Sequence, residues 1–230
     1  MRSNFDKELD ILNTHLTDMS AAVENAIEYA TQALVFGDMG KAETAVEYDS
    51  EVDSMEKDIE KQCVKILLLQ QPVAKDLRQV SAALKMITDM ERIGDQARDI
   101  SELLLKAGRN VKINPNGVIA QMATATMKMV HDAAQSFVKQ DIQAAHNVIE
   151  FDDVIDNLYE QAKAEIVHRI KSEKEDVDFL IDLLSISKYF ERIGDHTASI
   201  AEWVIFSVTG VHKDENMMYT EKQEFLRNLI

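Results

Sequence analysis

The sequence has few of the residues that interrupt helices or cross-link chains. Its 230 residues include only two prolines, Pro72 and Pro115, seven glycines and a single cysteine, Cys63. One cysteine excludes a disulfide within the chain and favours a reducing compartment. The scarcity of proline and glycine favours long, uninterrupted helices.

The sequence also lacks long apolar runs and an excess of positive charge. No apolar run approaches the roughly 18 residues of a membrane-spanning helix, and residues 1–6 lack the apolar core of a secretion signal. We therefore expect a cytoplasmic protein with no direct membrane insertion. The chain has 25 Lys and Arg residues against 41 Asp and Glu, a formal net charge of −16. This charge argues against nucleic acid as a partner, because phosphates would be repelled, and it favours cations or basic protein surfaces.

One pentapeptide occurs twice. Residues 91–95 and residues 191–195 both read Glu-Arg-Ile-Gly-Asp, and the two copies are 100 positions apart. An identical motif at that spacing indicates an internal duplication. In each copy Glu and Asp lie four residues apart, so on a helix their carboxylates share one face and repel each other. The glycine of each copy costs about 1 kcal/mol in a helix interior relative to alanine. The repelling carboxylates and the helix-interior glycine are both destabilising, and their presence in both copies indicates a functional site.

Apolar periodicity predicts an all-α fold made of two tandem antiparallel three-helix bundles related by internal duplication. The first helix carries an apolar residue at alternating steps of three and four from Phe5 to Ala33. Further helices are predicted at about 41–70, from Pro72 past the first pentapeptide, at 118–139, from Asp141 as a cap to about 171, and from the charged break 172–176 to Gly210. We predict a first repeat at 1–108, a linker at 109–117, a second repeat at 118–211 and a polar C-terminal tail at 212–230.

A second acidic pair recurs on the helix before each pentapeptide. Asp49 and Asp53 in the first half correspond to Asp152 and Asp156 in the second, offset by 103 positions. Asp49 falls on the apolar stripe of its helix, where a carboxylate is costly to bury unless it is paired or bound to metal. Two adjacent helices in each half therefore offer acidic pairs that could converge into a metal site. The acidic pairs on adjacent helices are Asp49 and Asp53 with Glu91 and Asp95 in one half, and Asp152 and Asp156 with Glu191 and Asp195 in the other.

At these residues the chain resembles the PhoU family of phosphate-uptake regulators. The resemblance is carried by Gln-Pro-Val-Ala-Lys-Asp-Leu-Arg at 71–78, by both pentapeptides and by both Asp-x-x-x-Asp pairs. It implies two similar three-helix bundles that bind multinuclear metal clusters through the acidic pairs listed above. It also implies a sensor histidine kinase of the phosphate response and the ATP-binding subunit of a phosphate ABC transporter as partners, and a homodimer. An Asn often found four residues after the motif Asp is Asp99 here and Ser199 in the second copy.

Oxygen ligands alone favour hard cations, so iron, manganese or magnesium is the expected metal. Arg92 and Arg192 offer an alternative, because they could neutralise the carboxylates as ion pairs without any metal. His196 follows Asp195 directly, but a lone helical histidine is more often a solvent or capping contact, and we leave it out of the ligand set.

Three classes of function fit these features. They are a metal-bearing regulator that restrains the kinase and the transporter through protein contacts, a di-metal carboxylate enzyme, and a spectrin-like helical interaction module without metal. The enzyme is disfavoured because no nucleophile and base accompany the carboxylates. The module is disfavoured because carboxylates recur at matched positions of both halves. We therefore expect a regulator that is not an enzyme.

Overall fold

The computed structural model describes residues 2–108, 113–172 and 176–211, with side chains from Phe5 onward. These ranges contain helices and short turns and no strand, which confirms the all-α prediction. The helices in chain order are α1 (Arg2–Phe36), α2 (Met39–Gln70), α3 (Lys75–Ala107), α4 (Val118–Lys139), α5 (Ile142–Lys171) and α6 (Val177–Thr209). None of these described helices is apolar enough over a sufficient length to cross a membrane.

Aspartate side chains begin three of the helices. Asp38 accepts hydrogen bonds from the Gly40 and Lys41 backbone N–H groups at the start of α2. Asp141 accepts one from Ala144 N–H at 3.0 Å before α5, which confirms its predicted role as a cap. Asp176 does the same for α6. Each cap satisfies backbone N–H groups that a first helical turn leaves without partners.

The connection between α2 and α3 differs from the prediction. Gln71 ends α2 in the left-handed conformation, as expected for a helix stop, but Pro72 does not lie in the first turn of α3. Ala74 has a φ of 48° directly before Lys75. Because a helix cannot continue through a residue with positive φ, α3 begins at Lys75 and Pro72 lies in the connection.

The predicted apolar stripes are buried within two antiparallel three-helix bundles, α1–α3 and α4–α6. In α1, Leu12, Leu16 and Met19 are almost inaccessible to solvent. Cys63 of α2 is likewise buried, and desolvation raises the pKa of its thiol to about 12. The thiol therefore packs as a small apolar side chain. The predicted architecture of two tandem bundles is confirmed.

The two bundles also pack closely against each other. Helix α3 packs along α6, which is the most extensive helix–helix contact in the described ranges, and α1 packs against α4. Asp89 of α3 accepts hydrogen bonds from Ser199 Oγ at 2.7 Å and from His196 Nδ1 at 2.9 Å. Near the other end, Lys106 Nζ lies 3.4 Å from Asp182. These contacts show that α3 and α6 run antiparallel, and the buried apolar side chains form one cluster through both bundles.

The division into 1–108, 109–117, 118–211 and 212–230 stays a prediction. Helix α3 ends at Ala107 and α4 begins at Val118, but residues 109–112 of the proposed linker lie outside the described residues. The polar tail at 212–230 lies outside them as well.

Replacing Asp89 with Ala should lower the free energy of unfolding by about 1–2 kcal/mol, because Ser199 and His196 lose a charged acceptor shared between the bundles. The measurement is urea unfolding followed by far-UV circular dichroism. Thr88→Ala, at the exposed neighbouring position of α3, is the matched control. If the two variants unfold at the same urea concentration, the Asp89 contact does not hold the bundles together.

Candidate metal-binding site

Each half of the chain brings its two acidic pairs together where neighbouring helices approach closely. A Cβ at Gly94 of α3 would lie 3.2 Å from Val52 of α2, and one at Gly194 of α6 would lie 2.8 Å from Asp152 of α5. The motif glycines therefore allow α3 to approach α2 and α6 to approach α5. We call Asp49, Asp53, Glu91 and Asp95 the N-terminal cluster, and Asp152, Asp156, Glu191 and Asp195 the C-terminal cluster.

Arg98 lies at the centre of the N-terminal cluster. Its Nη1 is 2.8 Å from Asp49 Oδ2 on α2 and 2.8 Å from Asp95 Oδ1 on its own helix. Its Nη2 is 3.1 Å from Asp99 Oδ1. The guanidinium thus bridges carboxylates from both helices, in a partly buried position where charged hydrogen bonds are strong.

The other carboxylates of the N-terminal cluster also have cationic partners. Arg92 contacts Glu91 at 3.4 Å and Asp95 at 3.2 Å. Lys57 lies 3.2 Å from Asp53. All four predicted ligands of this cluster therefore form ion pairs.

The C-terminal cluster has far less positive charge. Lys188 contacts Glu191 at 2.5 Å and is the one cation that forms an ion pair with this cluster among the described residues. Arg192 is exposed and, in the part of the chain that the structure describes, makes no ion pair with Glu191 or Asp195. Asp152 Oδ1 is buried without a hydrogen-bond partner. Arginine neutralisation, the alternative to metal, thus holds for Arg92 and not for Arg192.

Repulsion within the C-terminal cluster changes its acidity. Desolvation, followed by the negative charges of Asp195 and Asp156, raises the pKa of Asp152 to about 6. Desolvation and the charge of Glu191 also raise the pKa of Asp195. The carboxylates of this cluster therefore lie close enough for the charges of their neighbours to affect the acidity of Asp152 and Asp195.

The positions of the side chains show how these clusters fit a metal. Within the described ranges, no group of three or more carboxylate, imidazole or thiol side chains is arranged to hold an ion. The donor atoms of the C-terminal cluster are all oxygens, the type that hard cations prefer, and Asp152 Oδ1 is buried without a hydrogen-bond partner, so the chemistry of this cluster, though not the placement of its side chains, fits such an ion. The N-terminal cluster fits one less well, because its oxygens already contact guanidinium and ammonium groups. The eight predicted ligands stay a prediction.

Arg98 is the site residue that sequence reasoning missed. Arg98 lies three residues after the first pentapeptide and so outside the repeated motif. Comparison of the two copies would have revealed it, because the position 100 residues later is Ala198. His196, which was left out of the ligand set, contacts Asp89 on the opposite bundle.

The sequence profile of the PhoU domain matches this chain twice, at residues 16–104 and 119–204. The chain belongs to the PhoU family. The resemblance seen at the acidic motifs is therefore confirmed over most of the sequence.

Two relatives of this PhoU-family protein illustrate the extent of the similarity. The phosphate-specific transport system accessory protein PhoU homolog of Clostridium acetobutylicum is 32% identical over 216 residues, covering 94% of this chain and 99% of the relative. The protein of the same name from Pseudomonas aeruginosa is 32% identical over 208 residues, covering 90% of this chain and 86% of the relative.

Solved structures agree with this assignment. The crystal structure of PhoU from Pseudomonas aeruginosa matches with a TM-score of 0.85 at 32% identity, covering 90% of this chain and all of that one. The phosphate transport system regulatory protein PhoU from Streptococcus pneumoniae matches with a TM-score of 0.83 at 26% identity, covering 90% of this chain and 98% of that one.

In chelator-treated protein, Asp152→Asn should raise the free energy of unfolding by about 1 kcal/mol near pH 7.5, a value limited by solvent screening of a half-buried group. The pKa of Asp152 is about 6 in the folded state, above its ordinary value of 3.8. The folded state therefore holds the proton more tightly, so the destabilisation caused by ionising Asp152 builds up between about pH 4 and pH 6 and is fully present above that. The advantage of the variant should disappear as the pH falls to about 4.

The measurement is urea unfolding of both proteins at several pH values. Glu150→Gln, which removes the same charge from an exposed position of α5, should show no such pH-dependent gain. An advantage of Asp152→Asn that is equal at low and neutral pH would contradict the raised acidity of the cluster.

Proposed function

We propose that this PhoU-family protein is a regulator of phosphate uptake that acts by binding other proteins and has no turnover of its own. The observation that carries the proposal is the double match to the PhoU domain, together with near full-length similarity to proteins named phosphate-specific transport system accessory proteins. Both repeats and nearly the whole length of those relatives are represented in this chain.

The proposed partners are the ATP-binding subunit of a phosphate ABC transporter and a sensor histidine kinase, both met in the cytoplasm. A surface with a net charge of −16 would speed encounter with basic surfaces of these partners, and the rate should fall as salt rises. A homodimer is a further arrangement compatible with this role.

A metal would act within the proposed function as a structural element. The metal would be held by Asp152, Asp156, Glu191 and Asp195, since the neighbouring side chains supply too little positive charge to balance these carboxylates. A bound iron, manganese or magnesium ion would supply that charge and link α5 to α6. The family resemblance implies all eight carboxylates of both clusters as ligands, and the four of the N-terminal cluster are the poorer fit because they already form ion pairs.

We place the contact with the ATP-binding subunit at the connection between α2 and α3. The large apolar side chains of Leu68, Leu69 and Val73 are 72%, 67% and 72% exposed there, and Val64 and Leu77 beside them are also exposed. We call these five residues the apolar turn. Concentrated apolar exposure of this kind favours a protein contact.

The duplication supports a specific role for the apolar turn. The equivalent connection of the second bundle reads Ser-Glu-Lys-Glu-Asp at 172–176. A three-helix bundle with this connectivity therefore does not require apolar residues at the turn. Val177 and Ile181 of α6 are exposed near that second connection, and they offer a matched control surface.

A triple variant in which Leu68, Leu69 and Val73 are all replaced by serine should bind the ATP-binding subunit at least about tenfold more weakly, because central apolar contacts dominate binding energy. Binding is measured with purified proteins at low and high NaCl, and circular dichroism verifies the fold. Serine at Val177 and Ile181 is the control and should leave affinity unchanged. Unchanged affinity of the triple variant, or loss of kinase binding alone, would overturn the placement at this turn.

Deletion of the gene should leave phosphate-starvation genes expressed even in phosphate-rich medium, because the restraint on the kinase is removed. The measurement is a reporter of such a gene in the deletion strain, with the wild-type gene restored on a plasmid as the control. Normal repression in the deletion strain would contradict the regulatory role.

A further inference from the structure

The two acidic clusters arise from the same repeat but differ in the cations that accompany them. The N-terminal cluster meets three cationic side chains, Lys57, Arg92 and Arg98. In the part of the chain that the structure describes, the C-terminal cluster meets one, Lys188. The same set of four carboxylates thus carries a far larger uncompensated negative charge in the second half of the chain.

Arg98 accounts for most of the difference. Among the described residues, it is the one cation that forms ion pairs with carboxylates of both α2 and α3, with Asp49 and Asp95 each at 2.8 Å from Nη1. An ion shared between Asp49 and Asp95 would compete with the guanidinium for these same oxygens. The guanidinium therefore already performs the linking role that a metal would have in the N-terminal cluster.

The second repeat has no substitute for Arg98. The corresponding residue is Ala198, a buried side chain without charge. At the position matching Lys57, 103 residues later, the chain has Glu160, which adds negative charge. Asp152, which corresponds to Asp49, is left with a buried oxygen that has no hydrogen-bond partner.

We propose that Arg98 replaces the metal in the N-terminal cluster, so that cation binding in this chain is confined to the C-terminal cluster. This inference rests on the proposed metal site. It assigns the two repeats different chemistry, with a fixed organic cation in the first and an exchangeable inorganic one in the second. Displacing Arg98 would break several charged hydrogen bonds, which would weaken metal binding there by roughly 10- to 100-fold relative to the C-terminal cluster.

Substitutions at Arg98 and at the corresponding Ala198 test the proposal. Mn²⁺ is titrated into chelator-treated protein, and free Mn²⁺ is counted by electron paramagnetic resonance. The wild type should bind Mn²⁺. The double variant with Asp152→Asn and Asp195→Asn should lose this binding, and the double variant with Asp49→Asn and Asp95→Asn should keep it. The Arg98→Ala variant should bind additional Mn²⁺, and adding Asp49→Asn and Asp95→Asn to that variant should abolish the additional binding. The Ala198→Arg variant should lose the Mn²⁺ that the wild type binds.

The controls separate this inference from the metal proposal itself. Arg192→Ala, at an exposed position, should bind Mn²⁺ like the wild type. Arg98→Gln repeats the test with a polar side chain if Arg98→Ala fails to fold by circular dichroism. If the substitutions in either cluster reduce Mn²⁺ binding equally, the proposed role of Arg98 is wrong while the metal site is retained. No Mn²⁺ binding to the wild type would overturn both.

Discussion

The packing of α3 along α6 is the contact on which the rest of the structure depends. Each of these helices supplies half of an acidic cluster on one side and buries apolar residues against the opposite bundle on another. Glycine at 94 and 194 lets the neighbouring helices α2 and α5 approach them closely. The two clusters are therefore attached to one central helix pair, and a change in the position of either helix would reach both.

Carboxylates between packed helices require positive charge, and this chain supplies it differently in its two halves. Arg98 with Arg92 satisfies the first cluster from within the protein. The second cluster keeps a repulsive set of acids in which Asp152 is protonated more readily than usual. Both clusters contain a carboxyl whose pKa is raised by desolvation and by neighbouring carboxylates, Glu91 in the first and Asp152 in the second, but the second cluster has fewer cationic partners to offset the repulsion.

The sequence was sufficient to predict the six helices and the cap at Asp141, because Gly and Asp act locally. The start of α3 was wrongly placed at Pro72, and the caps Asp38 and Asp176 were not predicted. The sequence also predicted which carboxylates share a helix face, since two residues that are four positions apart lie on the same face of a helix. The contact between the bundles was missed. In α3, Val80, Ile87 and Gly94 are spaced seven residues apart on one buried stripe, and Met86 and Ile100 lie on a second buried stripe. This second stripe was a readable signal for another helix, but the identity of that helix depends on tertiary packing. Arg98 was missed because its partner Asp49 lies on a different helix.

The contact of Asp89 with Ser199 bears on the ancestry of the chain. In a symmetric dimer of single repeats, positions 89 and 189 would be the same residue, and so would positions 99 and 199. Here they are Asp and Tyr, and Asp and Ser. The hydrogen bonds of Asp89 to Ser199 and His196 therefore belong to an asymmetric interface. Joining two copies in one gene released each side of that interface from matching the other, and mutation could then specialise them separately.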